Sequence, residues 1–349
     1  MLIIRHAEVR DILAGRERPV VDVVRAAYQS HDEGQSVLPH SSFLRLPPGP
    51  HDPEQRNRII CLPAYLGGRV GAAGVKWIAS FPGNLNLGLD RASAVIVLNS
   101  PLTGRPEALV EASLVSAART AASAALAAAV LVDGPPPSTV AIIGCGVINL
   151  AALRYLAVVL PGLAQASVFD LDSRRAAAFV ERCTEAVPHI AVTVAGDRER
   201  ALAGHELVSI ATTASSPYMG LTACRPDSTV LHISLRDLLP ETILSSHNVV
   251  DDADHVCRER TSLHLAEQIV GDRRFIDASL GQLLRGGTLD RDPDKPTIFS
   301  PFGLGVLDLA VACLVRDEAV RQGAGVRVDD FLPAFAPVRR AVMPAAPSG

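Results

Sequence analysis

The turn Gly144-Cys145-Gly146-Val147-Ile148-Asn149 follows directly on the apolar run Thr139-Val140-Ala141-Ile142-Ile143. It opens a segment with helical apolar spacing at Val147, Leu150, Ala151, Leu153 and Leu156. A buried strand, a glycine-tight turn and a helix N-terminus together suit a dinucleotide pyrophosphate. Glycine lets the backbone approach the phosphates, and the first helical N–H groups carry partial positive charge. Gly144, Gly146, Val147, Ile148 and Asn149 are the candidate phosphate contacts, with Asn149 standing where the fingerprint has its third glycine. An ordinary strand–turn–helix carries similar glycines, so the neighbouring segments decide. Asp170 closes a second short strand, Ala166-Ser167-Val168-Phe169, at roughly the 20-residue offset where a carboxylate accepts from ribose hydroxyls. Two further apolar strands, residues 207–211 and 229–233, run into Thr212-Thr213 and Ser234. Ligands of an open parallel sheet lie at such carboxyl ends. The fold expected is α/β, a Rossmann dinucleotide-binding domain joined to a second domain.

The second domain follows from position. The glycine turn lies well inside a chain of 349 residues, so a substantial segment precedes it and must build something else. With 48% hydrophobic residues the body of the chain can bury ample core. A net charge of −4, with both signs interspersed, gives no support to nucleic-acid binding. The opening Met1-Leu2-Ile3-Ile4 is too briefly apolar for a signal peptide, and residues 121–132 form too short an apolar run to span a bilayer. Six cysteines without CxxC pairing fit a reducing cytoplasm.

Residues 1–130 read as a helical opening, a loop over 38–58, and strands at 58–65, 69–80 and 92–99. A hairpin signal spans 98–106, and a long helix runs from about 111 to 132. Asp133-Gly134-Pro135-Pro136-Pro137-Ser138 breaks that helix and marks a boundary. The dinucleotide domain is expected over 138–303. The helical pattern at 304–322 is expected to return to the first domain, which is then discontinuous (1–130 with 304–335), α+β, and the seat of substrate binding and dimerisation. Residues 336–349 read as a loose tail.

Of 33 basic residues only Lys76 and Lys295 are lysine. Lys295 sits in a Pro- and Asp-rich loop, whereas Lys76 lies in the apolar stretch Gly74-Val75-Lys76-Trp77-Ile78-Ala79. An ammonium buried there needs a partner and can change protonation where arginine cannot; a snorkelling strand lysine is the plainer reading. Arg58, Arg91 and Arg119 sit near element ends of the same domain, and a planar guanidinium suits carboxylates. A surface charge on an amphipathic helix is the plainer reading of Arg119. Several cations beside a hydride acceptor suggest a small polyanionic amino acid. Asp251-Asp252-Ala253-Asp254-His255, with Cys257 and His264, lacks a metal-ligand spacing and reads as a capped, solvated helix start, so no metal is expected. No GxSxG elbow supports a serine hydrolase.

Several of these segments resemble one family. Lys76-Trp77-Ile78-Ala79-Ser80-Phe81-Pro82-Gly83-Asn84, Asp90-Arg91-Ala92-Ser93-Ala94, Thr103-Gly104-Arg105-Pro106 and Ala118-Arg119-Thr120-Ala121-Ala122-Ser123-Ala124 look like the ornithine cyclodeaminase/mu-crystallin family. Within it they are most similar to the N-(2-amino-2-carboxyethyl)-L-glutamate dehydrogenases of 2,3-diaminopropionate biosynthesis. The resemblance implies an NAD-dependent enzyme, a homodimer, and a place in siderophore or antibiotic supply. It implies that Lys76 contacts a carboxylate or moves a proton, that Arg58 and Arg119 hold carboxylates, and that Ser93 lines the same pocket. Gly144, Gly146, Val147, Ile148 and Asn149 would carry the pyrophosphate and Asp170 the ribose. Thr120, Thr212, Thr213 and Ser234 would line the cofactor cleft, with Phe302-Gly303 approaching the nicotinamide. Cyclodeaminases carry an aspartate in a glycine-containing loop after the strand matching 229–233. Here the loop reads Ser234-Leu235-Arg236-Asp237, which leaves Asp237 open as the catalytic acid and argues against cyclisation of ornithine. Ornithine cyclodeaminase, alanine dehydrogenase, ketimine reductase and a non-enzymatic dinucleotide binder remain as alternatives on the same scaffold.

Overall fold

The computed structural model describes residues 1–49, 52, 56–132 and 134–333; the tail expected at 336–349 lies outside them. The chain opens with β1 (Leu2–Ile4), α1 (His6–Leu13), α2 (Glu17–Asp32), β2 (Ser36–Val37) and β3 (Ser42–Arg45). An antiparallel run follows, β4 (Arg58–Leu66), β5 (Ala72–Ser80), β6 (Ala92–Asn99) and β7 (Pro106–Glu111), and then α3 (Ser113–Leu131). β4, β5, β6 and β7 pair with their chain neighbours, as alternating runs joined by short turns do. Two additions were not visible in the sequence. β1 pairs parallel with β7, and part of the 38–58 loop forms β3 on the edge of β4.

The second sheet is built from β8 (Thr139–Ile143), α4 (Val147–Val159), β9 (Gln165–Phe169), α5 (Ser173–Ala186), β10 (Ala191–Val194), α6 (Arg198–Leu202) and β11 (Leu207–Ile210). It continues through β12 (Thr229–His232), α7 (Pro240–Leu244), β13 (His247–Val250), α8 (Ala253–Val256), α9 (Ser262–Val270), β14 (Ala278–Ser279), α10 (Leu280–Leu284) and β15 (Thr297–Ser300). Its order is β10-β9-β8-β11-β12-β15-β13-β14, and every neighbouring pair is parallel. Such a sheet is covered on both faces, which is why its central strands read as continuous apolar runs. Successive strands move outward in opposite directions from the β8/β11 boundary, so the crevice at their carboxyl ends is the ligand site of this topology.

The chain then forms α11 (Gly305–Gln322) and β16 (Val326–Arg327). α11 leaves the second sheet and packs on β4, β5, α2 and α3, while β16 pairs with β1. Gly305 allows a close approach to β4, since a Cβ there would stand 3.2 Å from that of Ala64. α3 is apolar enough to cross a membrane by composition, with mean hydropathy 1.6 over 18 of its 19 residues, but most of that stretch is buried. It packs against both α2 and α4, so one apolar core runs through both halves of the molecule. A second apolar cluster covers the other face of the parallel sheet. All six cysteines are free thiols.

Candidate active site

Gly144 leaves β8 with φ +93°, and a Cβ there would stand 2.4 Å from the Ala211 carbonyl oxygen. Only glycine passes between the ends of β8 and β11 at this point. Gly146 is the N-cap of α4, makes no side-chain cap, and has open space where a Cβ would be. The first N–H groups of α4, at Val147 and Ile148, are therefore left for an anion. Asp170, just past β9, accepts from the Cys145 N–H at 2.8 Å and the Asp172 N–H at 3.0 Å. A carboxylate retains acceptor capacity beyond two such bonds, and this one borders the glycine turn. These features fit a dinucleotide.

Asn149 takes a different place from the one expected. Its side chain is fully buried, donates to the Ile143 and Gly144 carbonyls at 2.9 and 2.7 Å, and accepts from the Ser209 hydroxyl at 2.7 Å. With every polar atom used, the amide clamps the turn from beneath and presents nothing to a phosphate.

On the opposite lip of the crevice, Thr212 and Ser234 follow β11 and β12. The Thr212 N–H donates to the Ser234 hydroxyl at 3.1 Å, and both hydroxyls donate to the carboxylate of Asp237. Asp237 is fully buried and its own N–H meets His232 Nε2 at 3.2 Å. Burial pushes this carboxyl upward, but contacts from His232, Ser234 and Thr212 outweigh it and hold it below the usual aspartate range. Thr213 is exposed beside this network, and the Thr120 hydroxyl donates to the Ser116 carbonyl one turn back along α3.

Lys76 is 2% exposed on β5, and its Nζ donates to Asp308 Oδ2 at 2.6 Å. The other oxygen of the same carboxylate accepts from Arg119 Nε at 3.0 Å. Ser116, on α3, lies 3.4 Å from both cations. β5, α3 and α11 each deliver one member, so the centre exists only once α11 has returned to the first sheet. Burial pushes the Lys76 ammonium down to about 8, with Asp308 opposing and Arg119 reinforcing the shift. Asp308 was not anticipated. Its signal was a single carboxylate in the apolar run Gly305-Val306-Leu307-Asp308-Leu309-Ala310, the same kind of signal that marked Lys76.

Phe302 and Gly303 join this centre to the parallel sheet. Gly303 has φ +96°, and a Cβ there would collide with Arg119 Nη1 at 2.5 Å. The backbone can therefore pass directly over the guanidinium. The two N–H groups donate to Asp251 at 2.9 and 2.6 Å. Asp251, expected in a solvated helix start, is instead 2% exposed, and burial pushes its carboxyl up to about 6. The neighbouring Asp252 does cap α8, accepting from the His255 N–H at 2.9 Å. Among the described residues no His/Cys/Asp/Glu group of metal-binding arrangement occurs.

The strand register separates the remaining candidates. Leu62 opposes Lys76 and Arg58 opposes Ser80, so Arg58 shares the Lys76 face about 13 Å further along the sheet. Ser93 opposes Ala79, one residue out of phase, and is exposed on the reverse face with Trp77 and Val95. The expectation that Ser93 lines the Lys76 pocket is corrected by that alternation. Arg58 Nε is buried without a hydrogen-bond partner. Burial, then the nearby Arg45, lowers its guanidinium below the usual range.

Comparison with known proteins agrees with this architecture. The ornithine cyclodeaminase/mu-crystallin family model matches residues 18–323. The chain is 29% identical to the N-((2S)-2-amino-2-carboxyethyl)-L-glutamate dehydrogenase of Staphylococcus aureus over 339 residues, 94% of this chain and 98% of that protein. The Δ1-pyrroline-2-carboxylate reductase of Thermococcus litoralis, solved with NADH and L-proline, superposes with a TM-score of 0.86 at 25% identity. It covers 94% of this chain and 100% of its own. An archaeal alanine dehydrogenase, solved as a dimer with bound NAD, shares the fold with a TM-score of 0.83 at 24% identity, over 95% and 99% of the two chains. With the family model matched over most of its length, this chain belongs to the ornithine cyclodeaminase/mu-crystallin family.

Proposed function

We propose that this chain is an NAD-dependent amino-acid oxidoreductase that cleaves N-(2-amino-2-carboxyethyl)-L-glutamate oxidatively to 2-oxoglutarate and L-2,3-diaminopropionate. The observation that carries the reading is the buried Lys76–Asp308–Arg119 centre beneath the Phe302-Gly303 turn. It places a lysine whose proton is easily lost beside the carboxyl ends of a dinucleotide sheet. Likeness to the staphylococcal dehydrogenase supports the choice of substrate. So does the surplus of guanidinium groups around Arg58, which suits a tricarboxylate better than a monocarboxylate.

Gly144, Gly146 and the N-terminus of α4 would hold the pyrophosphate of the cofactor, Asp170 would hold the adenosine ribose, and Thr212, Thr213 and Phe302-Gly303 would border the nicotinamide. The bound nicotinamide would supply the acceptor for hydride from the glutamyl α-carbon. Arg58 and Arg119 orient that carbon through the substrate carboxylates. An ammonium cannot drive loss of hydride, so Lys76 in its neutral form takes the proton from the secondary amine. Water then adds to the iminium carbon and sheds one proton to solvent. Lys76 returns its proton to the departing nitrogen as the carbinolamine collapses. Asp308 holds Lys76 in place throughout. Asp237, enclosed by two hydroxyls and His232, serves as the anchor of the 234–237 loop, and Asp308 takes the acidic position beside the reacting amine. Trp77, Tyr65 and Val95 are substantially exposed on the reverse face of the first sheet, and that apolar face is the surface through which a homodimer forms.

Two measurements test the reading. With NAD and N-(2-amino-2-carboxyethyl)-L-glutamate, NADH, 2-oxoglutarate and diaminopropionate are expected in equal amounts, while ornithine is a poor substrate. Ornithine offers one carboxylate and brings a second positive charge into a cationic pocket. Proline and ammonia from ornithine without net NADH would overturn the proposal. Secondly, the wild type prefers NAD to NADP, because the Asp170 carboxylate repels a 2′-phosphate. Asp170→Ala narrows the ratio of kcat/KM values by about ten- to a hundredfold. A wild type that uses NADP equally well removes the ribose role from Asp170.

A further inference from the structure

Arg236 occupies the loop between β12 and α7, held in an unusual backbone. Four described non-glycine residues have positive φ, and three of them, Leu235 (+67°), Glu259 (+54°) and Arg260 (+56°), flank this one arginine. The two strained segments are tied together. Ser262 N–H donates to the Leu235 carbonyl at 2.8 Å, and Arg236 Nη2 donates to the Glu259 carbonyl at 2.7 Å. Backbone strain of this kind persists where surrounding structure over-determines it, and it concentrates at functional sites.

The loop brings its guanidinium to a place that already holds others. β3 pairs Arg45 with Arg58, and Ala92, next to Arg91, pairs with Ser80, which pairs with Arg58. Burial lowers Arg236 to about 10, and Arg58 is the next largest cause. Burial followed by Arg58 likewise lowers Arg91. Glu259 is the acidic neighbour that opposes the shifts of Arg58 and Arg236, and it is ion-paired to Arg45. Half-buried guanidinium groups that press on one another, with Nε of Arg58 buried without a hydrogen-bond partner, concentrate positive charge that suits a further anion.

We propose that Arg236 and Arg91, with Nε of Arg58, form a distal carboxylate subsite that selects substrates carrying a second carboxylate remote from the reacting carbon. The register separation of about 13 Å between Arg58 and Lys76 is spanned by two long side chains and a glutamyl-sized chain. This deepens the functional reading above and rests on its placing of the reacting carbon beside Lys76. It assigns a role to a loop that the nicotinamide site leaves unexplained.

The test is a binding measurement that needs no turnover. The protein saturated with NADH is titrated with 2-oxoglutarate and with pyruvate, following NADH fluorescence. The wild type should bind 2-oxoglutarate the more tightly. Arg236→Gln and Arg91→Gln should each weaken 2-oxoglutarate by about ten- to a hundredfold while leaving pyruvate within about twofold. Arg236→Lys should restore part of the preference. Equal weakening of both ligands, an unchanged ratio in both variants, or a wild type without preference would overturn the subsite. An Arg236-dependent preference in a protein that does not turn over the glutamate adduct leaves the subsite standing and removes the proposed reaction. Correct turnover with an Arg236-independent ratio does the reverse.

Discussion

Alanine in place of Lys76 is expected to lower kcat by about a thousandfold or more, within the range of a lost proton-transfer group, while NAD affinity stays within about twofold. The side chain belongs to β5, outside the parallel sheet, so the cofactor crevice keeps its walls. Lys76→Arg should fail as completely, because a guanidinium keeps its proton and its planar fork does not reproduce a compact ammonium. The pH profile identifies the role. Burial holds the Lys76 ammonium near 8, so kcat should rise with pH through that value as the neutral amine forms. Arg119 pushes the same proton off, so Arg119→Gln should move the rising limb to higher pH. Asp308 holds the proton on, so Asp308→Asn should move it to lower pH. Measured kcat profiles of the three proteins check both signs. A Lys76→Arg enzyme with near-wild-type turnover would reduce Lys76 to an electrostatic contact.

The elements around this centre were legible to different degrees, for physical reasons. β6 falls at Ala92–Asn99 and β8 at Thr139–Ile143, the residues their apolar runs marked, because punctuating glycines and prolines bound them. β1 and β2 have three and two residues, too few for an alternation to register, and the four of β3 lay inside a Pro- and His-rich loop. Each depends on a long-range partner. Lys76 and Arg119 stood out because a charge in an apolar stretch must be satisfied. Their shared partner lies 232 residues from Lys76, a separation that no local pattern encodes. Asn149 was read from the fingerprint position of a glycine, whereas its amide braces the turn where a missing side chain would have left room. Ser93, expected in the pocket through the family resemblance, differs through strand phase, since it opposes Ala79 and so lies on the face away from Lys76. Asp251 looked solvated because its acidic neighbours are, yet the Phe302 and Gly303 N–H groups draw it inward.

Loss of Asp308 should produce the largest change in stability. The carboxylate is fully buried and accepts from two cations, Lys76 at 2.6 Å and Arg119 at 3.0 Å. Removing one partner of a buried ion pair typically costs about 3–5 kcal/mol, because the remaining charge is left without compensation. Asp308→Ala is therefore expected to melt on the order of 10 °C below wild type near neutral pH. The deficit should depend on pH with a definite sign. Burial already depresses Lys76 in the folded state, and without Asp308 the depression deepens. A lysine whose folded value lies below its unfolded value destabilises the fold while it must carry a proton, and that penalty fades as pH rises toward the unfolded value. The deficit of Asp308→Ala should thus be smaller at pH near 9.5 than at pH near 6, whereas a lost packing contact would cost the same at both, since cavity energies do not titrate. Lys76→Met combined with Asp308→Leu should recover part of the stability, because buried ion pairs are often replaceable by apolar groups of similar volume, yet recover no turnover. Thermal melts of the single and double variants at both pH values decide the matter. A single variant melting within ~1 °C of wild type at pH 6 would mean that the buried charges find compensation elsewhere, and Asp308 would lose its place as the keystone of the site.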